Sequence, residues 1–137
     1  MRRANLKRKT AETTIDVTVN LDGKGVARIN TPINFLNHML TSLSTHSLID
    51  ISLFAEGDLK HHIVEDCALS LGEVLREAIG DYRGIKRFGY AIVPMDCSLA
   101  TVSIDQSKRP YPVIDIDLER EVVEDLPSED IVHFFTS

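Results

Sequence analysis

His61-His62-Ile63-Val64-Glu65-Asp66 opens a helical stripe and is the segment with the most chemistry in it. Successive helical residues turn by about 100°, so His61 and Glu65, four apart, project from one side, while His62 lies around the corner. One imidazole and one carboxylate can thus face one ion, and the second imidazole can serve another. Nitrogen and oxygen donors without a thiolate suit Mn, Fe or Zn and argue against a structural Cys-rich zinc site. The competing reading is a solvated helix start whose acidic residues, Glu65 and Asp66, complement the helix dipole. It accounts for the acids but not for paired histidines.

Other candidates are weaker taken singly. His38 falls on an otherwise apolar helical stretch and alone would read as a hydrogen-bonded core residue; His46, near the end of that stretch, reads as a dipole partner. Arg87 in Lys86-Arg87-Phe88-Gly89 and Arg109 in Lys108-Arg109-Pro110 lie near strand ends and could grip a phosphate bidentately, against the ordinary alternative of a solvated arginine. Glu12, at a strand edge, is a candidate acid or base. Gly23-Lys24-Gly25 is a turn and not a phosphate loop, since no helix and no Lys-Ser/Thr pair follow it.

The elements that must position these groups follow from periodicity. Alternation over 13–30, broken by Asp22-Gly-Lys-Gly25, predicts a β-hairpin. Thr31-Pro32 offers a cap and a proline near a first helical position, and Ile33, Leu36, Leu40 and Leu43 recur at helical spacing. Ile49 to Ala55 alternates as a strand. Val64, Ala68, Leu71, Leu75 and Ala78 form a stripe that predicts a helix from His61 to Ile79, ended by Gly80. Strands are expected over 88–93, 99–105 and 111–118, then a solvated acidic connection over 119–125 and the opening of a helix from Pro127. This order predicts an α+β layer, helices packed on one face of a mostly antiparallel sheet.

The chain has 137 residues, 43% hydrophobic and 26% charged, enough for a core that needs neither disulfide nor metal to fold. A net charge of −6 disfavours broad attraction to nucleic acid or anionic lipid, so an anionic substrate needs local arginines. No apolar run approaches the roughly 20 residues of a membrane span. Cys67 and Cys97 sit in no metal or redox spacing, which points to reduced thiols in a cytoplasmic protein.

A repeat is visible within the chain. Val17-Thr-Val-Asn20 resembles Val102-Ser-Ile-Asp105, and Leu36-Asn-His-Met-Leu-Thr-Ser42 resembles Ile131-Val-His-Phe-Phe-Thr-Ser137, which sets His38 against His133 and raises both as metal ligands. Two similar halves are therefore expected, 1–85 and 86–137, the second incomplete because it stops inside its first helix.

Arg8-Lys-Thr-Ala-Glu12-Thr, Leu21-Asp-Gly-Lys-Gly25, Phe35-Leu-Asn-His-Met-Leu40, His61-His-Ile-Val-Glu-Asp66, Leu71-Gly72, Gly84-Ile-Lys-Arg-Phe-Gly89, Pro94-Met-Asp96 and Lys108-Arg-Pro-Tyr111, in this order along nearly the whole chain, resemble imidazoleglycerol-phosphate dehydratase of histidine biosynthesis. The resemblance implies two α+β halves like the second domain of ribosomal protein S5, trimers assembling into a 24-subunit shell, and two manganese ions per active site at subunit contacts. Carried over by position, it implies metal ligation by His38, His61, His62, Glu65 and His133, acid/base work and substrate contact by Glu12, and phosphate binding by Arg87 and Arg109. The implied reaction is a metal-dependent loss of water from imidazole glycerol phosphate to give imidazole acetol phosphate.

Three departures accompany the likeness. Asn37 stands where the family more often has aspartate, Cys97 stands where glutamate usually follows Pro-Met-Asp, and the segment before His61 is short. The family also carries a second His-His-x-x-Glu motif and a phosphate-binding lysine beyond the point this chain reaches. The rival expectation is accordingly a folded but catalytically inactive fragment or shortened relative. A third reading, an RNA-binding module, is opposed by the acidic charge and the lack of a basic aromatic patch.

Overall fold

The computed structural model describes residues 1–137, which divide into two compact units, Met1–Gly80 with Ile114–Ser137 and, separately, Asp81–Val113. In the first unit the strands β1 (Arg3–Lys9), β2 (Thr13–Asn20), β3 (Ala27–Asn30) and β4 (Asp50–Gly57) form one sheet in the order β1-β2-β4-β3. The pairs β1–β2 and β2–β4 are antiparallel and β3–β4 is parallel. Helix α1 (Asn34–Ser47) makes the crossover from β3 to β4, and α2 (Lys60–Ile79) follows β4. One face of the sheet supplies the core: Ile15, Val17 and Val19 on β2 and Ile51, Leu53 and Ala55 on β4 alternate with exposed or half-buried neighbours. That period of two leaves a single apolar face for the helices to cover.

The expected 13–30 hairpin does not form. β2 pairs with β1 and β4, and β3 pairs in parallel with β4 instead. Alternation identifies a strand but not its neighbour. The 22–25 turn is folded against the start of β4, where the Asp50 carboxylate accepts the amides of Lys24 (2.8 Å) and Val26 (2.9 Å) and the Val26 carbonyl accepts the Ile51 amide. These amide bonds hold the Asp50 carboxyl below its ordinary range. Gly25, at φ +81, turns where a side chain would press on the Thr45 carbonyl, 3.0 Å from the Cβ position.

Helix α2 is buried around much of its girth, with Ile63, Val64, Cys67, Leu71, Val74 and Ala78 inside. It packs on β1, β2 and β4 and also against α3 (Ser128–Thr136). Gly80 ends it, its amide bonded to the Arg76 carbonyl. Burial pushes the Cys67 thiol up to about 12, which makes it an inert core residue, and both cysteines are free. No helix is long and apolar enough to cross a membrane.

Helix α1 is capped from far away in sequence. Its N-cap residue is Ile33, not Thr31, whose hydroxyl is engaged by the Ile33 amide and by Asn37. Asn37 accepts the Thr31 amide at 3.0 Å and donates Nδ2 to the Thr31 carbonyl at 2.9 Å, a pairing that requires an amide rather than a carboxylate. The first helical amides, Asn34 and Phe35, donate instead to Asp125 at 2.6 and 2.9 Å. The acidic connection therefore carries a structural carboxylate, set by the short pair β7 (Val122–Val123) and β8 (Leu126–Pro127). The Phe35 amide is the largest influence holding the Asp125 carboxyl below its ordinary range. Asp125→Ala is expected to cost about 1 kcal/mol, read as a lower urea midpoint. Because the folded-state value is depressed, this contribution is present above the carboxyl's unfolded value and is lost as pH falls through the folded one. An unchanged midpoint at neutral pH would refute the capping role.

In the second unit, β5 (Phe88–Met95) and β6 (Ser98–Asp105) form an antiparallel hairpin around Asp96-Cys97, with Asp96 at φ 50. None of its residues is buried, since a two-stranded ribbon covers neither of its faces. The expected strand over 111–118 is absent: Pro110 and Pro112 remove amide donors and no neighbouring strand pairs with the segment. The sequence range 86–137 is shared between the units, its hairpin in the second and its tail, including α3, in the first.

Candidate metal and proton-transfer site

The packing of α3 on α2 gathers the richest cluster of donors. Ligand atoms of His61, Glu65 and His133 all lie within 4.8 Å of one another. The rings of His61 and His133 stack with centroids 4.8 Å apart, and His133 Nε2 stands 3.6 Å from Glu65 Oε1. That separation is too long for a hydrogen bond. It suits two atoms sharing one ion, since metal–ligand distances of about 2.1 Å at tetrahedral angles place ligands roughly 3.5 Å apart. His133 Nε2 is moreover buried with no hydrogen-bond partner. An unpaired buried donor or acceptor costs about 1–3 kcal/mol, so this nitrogen has reason to hold a ligand. The donor set of two imidazoles and a carboxylate fits a transition-metal cation.

His61 is oriented from behind. Its Nδ1 lies 2.6 Å from Oδ1 of Asp130, a carboxylate almost wholly buried on α3. This contact makes Nδ1 the protonated nitrogen and leaves Nε2 free to ligate. Asp130 escaped the sequence reading, although its position three residues before His133 on one helix was the available signal.

His62 faces a different group. Its Nδ1 is 2.8 Å from Asp58 Oδ1 and 3.8 Å from Glu12 Oε2. The Asp58 hydrogen bond raises the His62 pKa above the ordinary imidazole value, with smaller contributions from Glu12 and Glu65, and lowers that of Asp58 in return. The protonated imidazole is therefore favoured in the fold, and the stabilisation it brings is present below the unfolded value and lost as pH rises through the folded one. Asp58, four residues before His62, was also passed over.

The acids of the motif do not serve the helix dipole. The first turn of α2 holds no acidic residue; Glu65 points to His133, and Asp66 is buried against Arg8 and Thr13. His38 is exposed on α1, beside a surface cavity of about 410 Å³ that it shares with Glu124 and Asp125, and it is not part of the three-residue group. Arg87 and Arg109 belong to the second unit. Arg87 forks onto Asp105 at 2.7 and 3.1 Å, and the charges of both arginines hold the Asp105 carboxyl below its ordinary range, the Arg87 hydrogen bond foremost. Arg109 lines an open cavity of about 610 Å³ with Phe88, Tyr90, Ser103 and Tyr111.

The family model described as imidazoleglycerol-phosphate dehydratase matches residues 31–137. The chain belongs to the imidazoleglycerol-phosphate dehydratase family. It is 48% identical over 140 residues to the imidazoleglycerol-phosphate dehydratase of Methanothermobacter thermautotrophicus, covering 100% of this chain and 72% of that one. It is 52% identical over 137 residues to that of Chlorobaculum parvum, covering 98% and 71%. The crystal structure of the Staphylococcus aureus imidazoleglycerol-phosphate dehydratase superposes with a TM-score of 0.87 at 34% identity, over 97% of this chain and 74% of that one. Membership of this hydro-lyase family accords with the α+β fold, in which helices cover one face of a mostly antiparallel sheet.

Proposed function

We propose that this chain removes water from imidazole glycerol phosphate to give imidazole acetol phosphate in histidine biosynthesis, using manganese held by His61, Glu65 and His133. The observation that carries the reading is the buried, unpartnered His133 Nε2 set against Glu65 and stacked on His61, in a chain of this family. His38 and His62 are the remaining donors for the second of two ions, completed at contacts between subunits; His62, protonated without an ion, would give up its Nε2 proton to ligate while Asp58 still accepts from Nδ1. On the same reading 1–85 and 86–137 are duplicated halves, and the chains assemble through trimers into a 24-subunit shell in the cytoplasm.

When bound, a manganese ion supplies Lewis acidity toward an azole ring nitrogen, easing loss of a poorly acidic C–H proton and of hydroxide. The chain's own residues do the rest. Glu12 presents a half-exposed carboxylate beside His62 and is placed to take and return protons. Asp130, accepting a hydrogen bond from His61 Nδ1, leaves Nε2 as the ring nitrogen available to ligate. Arg87 and Arg109 offer guanidinium forks to the phosphate, and Asp105, which now occupies the Arg87 fork, keeps that fork ordered.

Manganese per chain and turnover of imidazole glycerol phosphate, measured together, test the proposal. Expected are bound manganese and a turnover that a chelator abolishes and added manganese restores. Bound metal without turnover, or neither, would favour the inactive relative.

A further inference from the structure

We propose that Asp66 is a positioning residue that fixes the β1–β2 turn against α2 and thereby aims the Glu12 carboxylate at the His62 end of that helix. Asp66 is the residue after Glu65, but it faces inward, with its side chain 10% exposed. Both of its oxygens are committed to the two strands that flank the turn. Oδ1 accepts Arg8 Nε at 3.0 Å from β1, and Oδ2 accepts the hydroxyl of Thr13, a buried residue at the start of β2.

The grip passes on to Glu12 through Thr10. The Thr10 hydroxyl lies 3.2 Å from that of Thr13 and accepts the amides of Glu12 at 3.1 Å and Thr13 at 3.0 Å. From the other side, the Glu12 carbonyl accepts the Asp58 amide at 3.1 Å, while Asp58 holds His62. The approach is close enough that a Cβ on Gly57 would sit 2.8 Å from the Glu12 carbonyl oxygen. The hydrogen bonds that hold Glu12 are made by its backbone amide and carbonyl, and its half-exposed carboxylate stands 3.8 Å from His62 Nδ1 as a charge neighbour without a hydrogen bond. The turn closes on itself through the Thr10 amide, which donates to the Thr13 carbonyl at 2.9 Å, and Asp66 is the buried carboxylate of α2 that ties both of its flanking strands to the helix by hydrogen bonds.

This rests on the reading of Glu12 as the proton-transfer group, and the experiment separates the two. Asp66→Asn, Thr13→Val and Thr13→Ser are compared with the parent chain by amide exchange and by turnover. In Asp66→Asn and Thr13→Val the Glu12 and Asp58 amides are expected to exchange about 10-fold faster or more, while core amides such as Val17 and Leu53 change by less than about threefold. Turnover is expected to fall about 10- to 100-fold in kcat with KM and manganese affinity within about threefold, since a misplacement near 1 Å costs on that order. Thr13→Ser, which keeps the hydroxyl, should restore both. If the parent itself turns nothing over, the function reading fails, and selective loosening of the Glu12 and Asp58 amides still establishes the positioning role. Unchanged exchange at those amides, or exchange accelerated equally across the sheet with kcat intact, would reduce Asp66 to an ordinary stabilising residue and overturn the proposal.

Discussion

A Glu65→Gln chain is expected to bind manganese at least about 100-fold more weakly than the parent and to lose all but about one-thousandth of its turnover. Glutamine preserves the length and shape of the side chain, and Glu65 is half exposed, so the fold has little to lose from the change. What disappears is the one carboxylate in the group it forms with His133 and His61, since Asp130 lies behind His61 on its Nδ1 side. Two neutral imidazoles then face a hard cation without a carboxylate, and oxygen donors are what manganese prefers. Asp130→Asn serves as the graded companion: it touches His61 rather than the ion, so about a 10- to 100-fold loss of affinity is expected, the usual scale for a carboxylate behind a ligating histidine. Calorimetric titration with manganese measures both. Parent-like affinity in Glu65→Gln would remove the ion from this cluster and the Lewis-acid chemistry with it.

The parts of the fold that could be read from sequence are those in which one residue pattern has one physical solution. The stripe from Val64 to Ala78 allows only a helix with a buried face, and Gly80 ends it as a glycine at a C-terminus should. Strand β1 was invisible because Arg3–Lys9 offers only Ala4 and Leu6 to the core, too little alternation to show among arginines and lysines. The 13–30 segment shows strands but misleads about pairing, because the partner of β3 is decided by α1 crossing over to β4, a tertiary event. The candidate site divides in the same way. His61, His62 and Glu65 are adjacent in sequence and their helical spacing gives their directions. His133 comes to them only because α3 packs on α2. Asp58, Asp66, Asp125 and Asp130 each act on a partner through tertiary or turn geometry, and an aspartate's role in such a contact leaves no mark in composition or periodicity.

Glu12→Gln should lower kcat by about 10²- to 10⁴-fold, the range attributable to a positioned acid–base group, and leave manganese affinity within about threefold. The separation of these effects follows from geometry. Glu12 lies outside the group of His61, Glu65 and His133, so an ion there does not depend on it. The bonds that locate it are made by its backbone amide and carbonyl, so glutamine occupies the same place with the same length. The substitution therefore removes the basic oxygen and little else. At 3.8 Å from His62 Nδ1, the Glu12 carboxylate is near enough to favour the imidazolium through its charge but too far for a direct hydrogen bond, which leaves its oxygens free to accept a proton from a bound molecule. Losing that charge takes away one of the influences that raise the His62 pKa, so the imidazole should titrate at a lower pH in the variant, a shift that proton NMR of the ring reads directly. A downward shift together with the fall in kcat would tie the lost activity to the Glu12 charge at this position. A kcat within tenfold of the parent would move the proton transfer to another group, and Asp58, already bonded to His62, would be the next carboxylate to test.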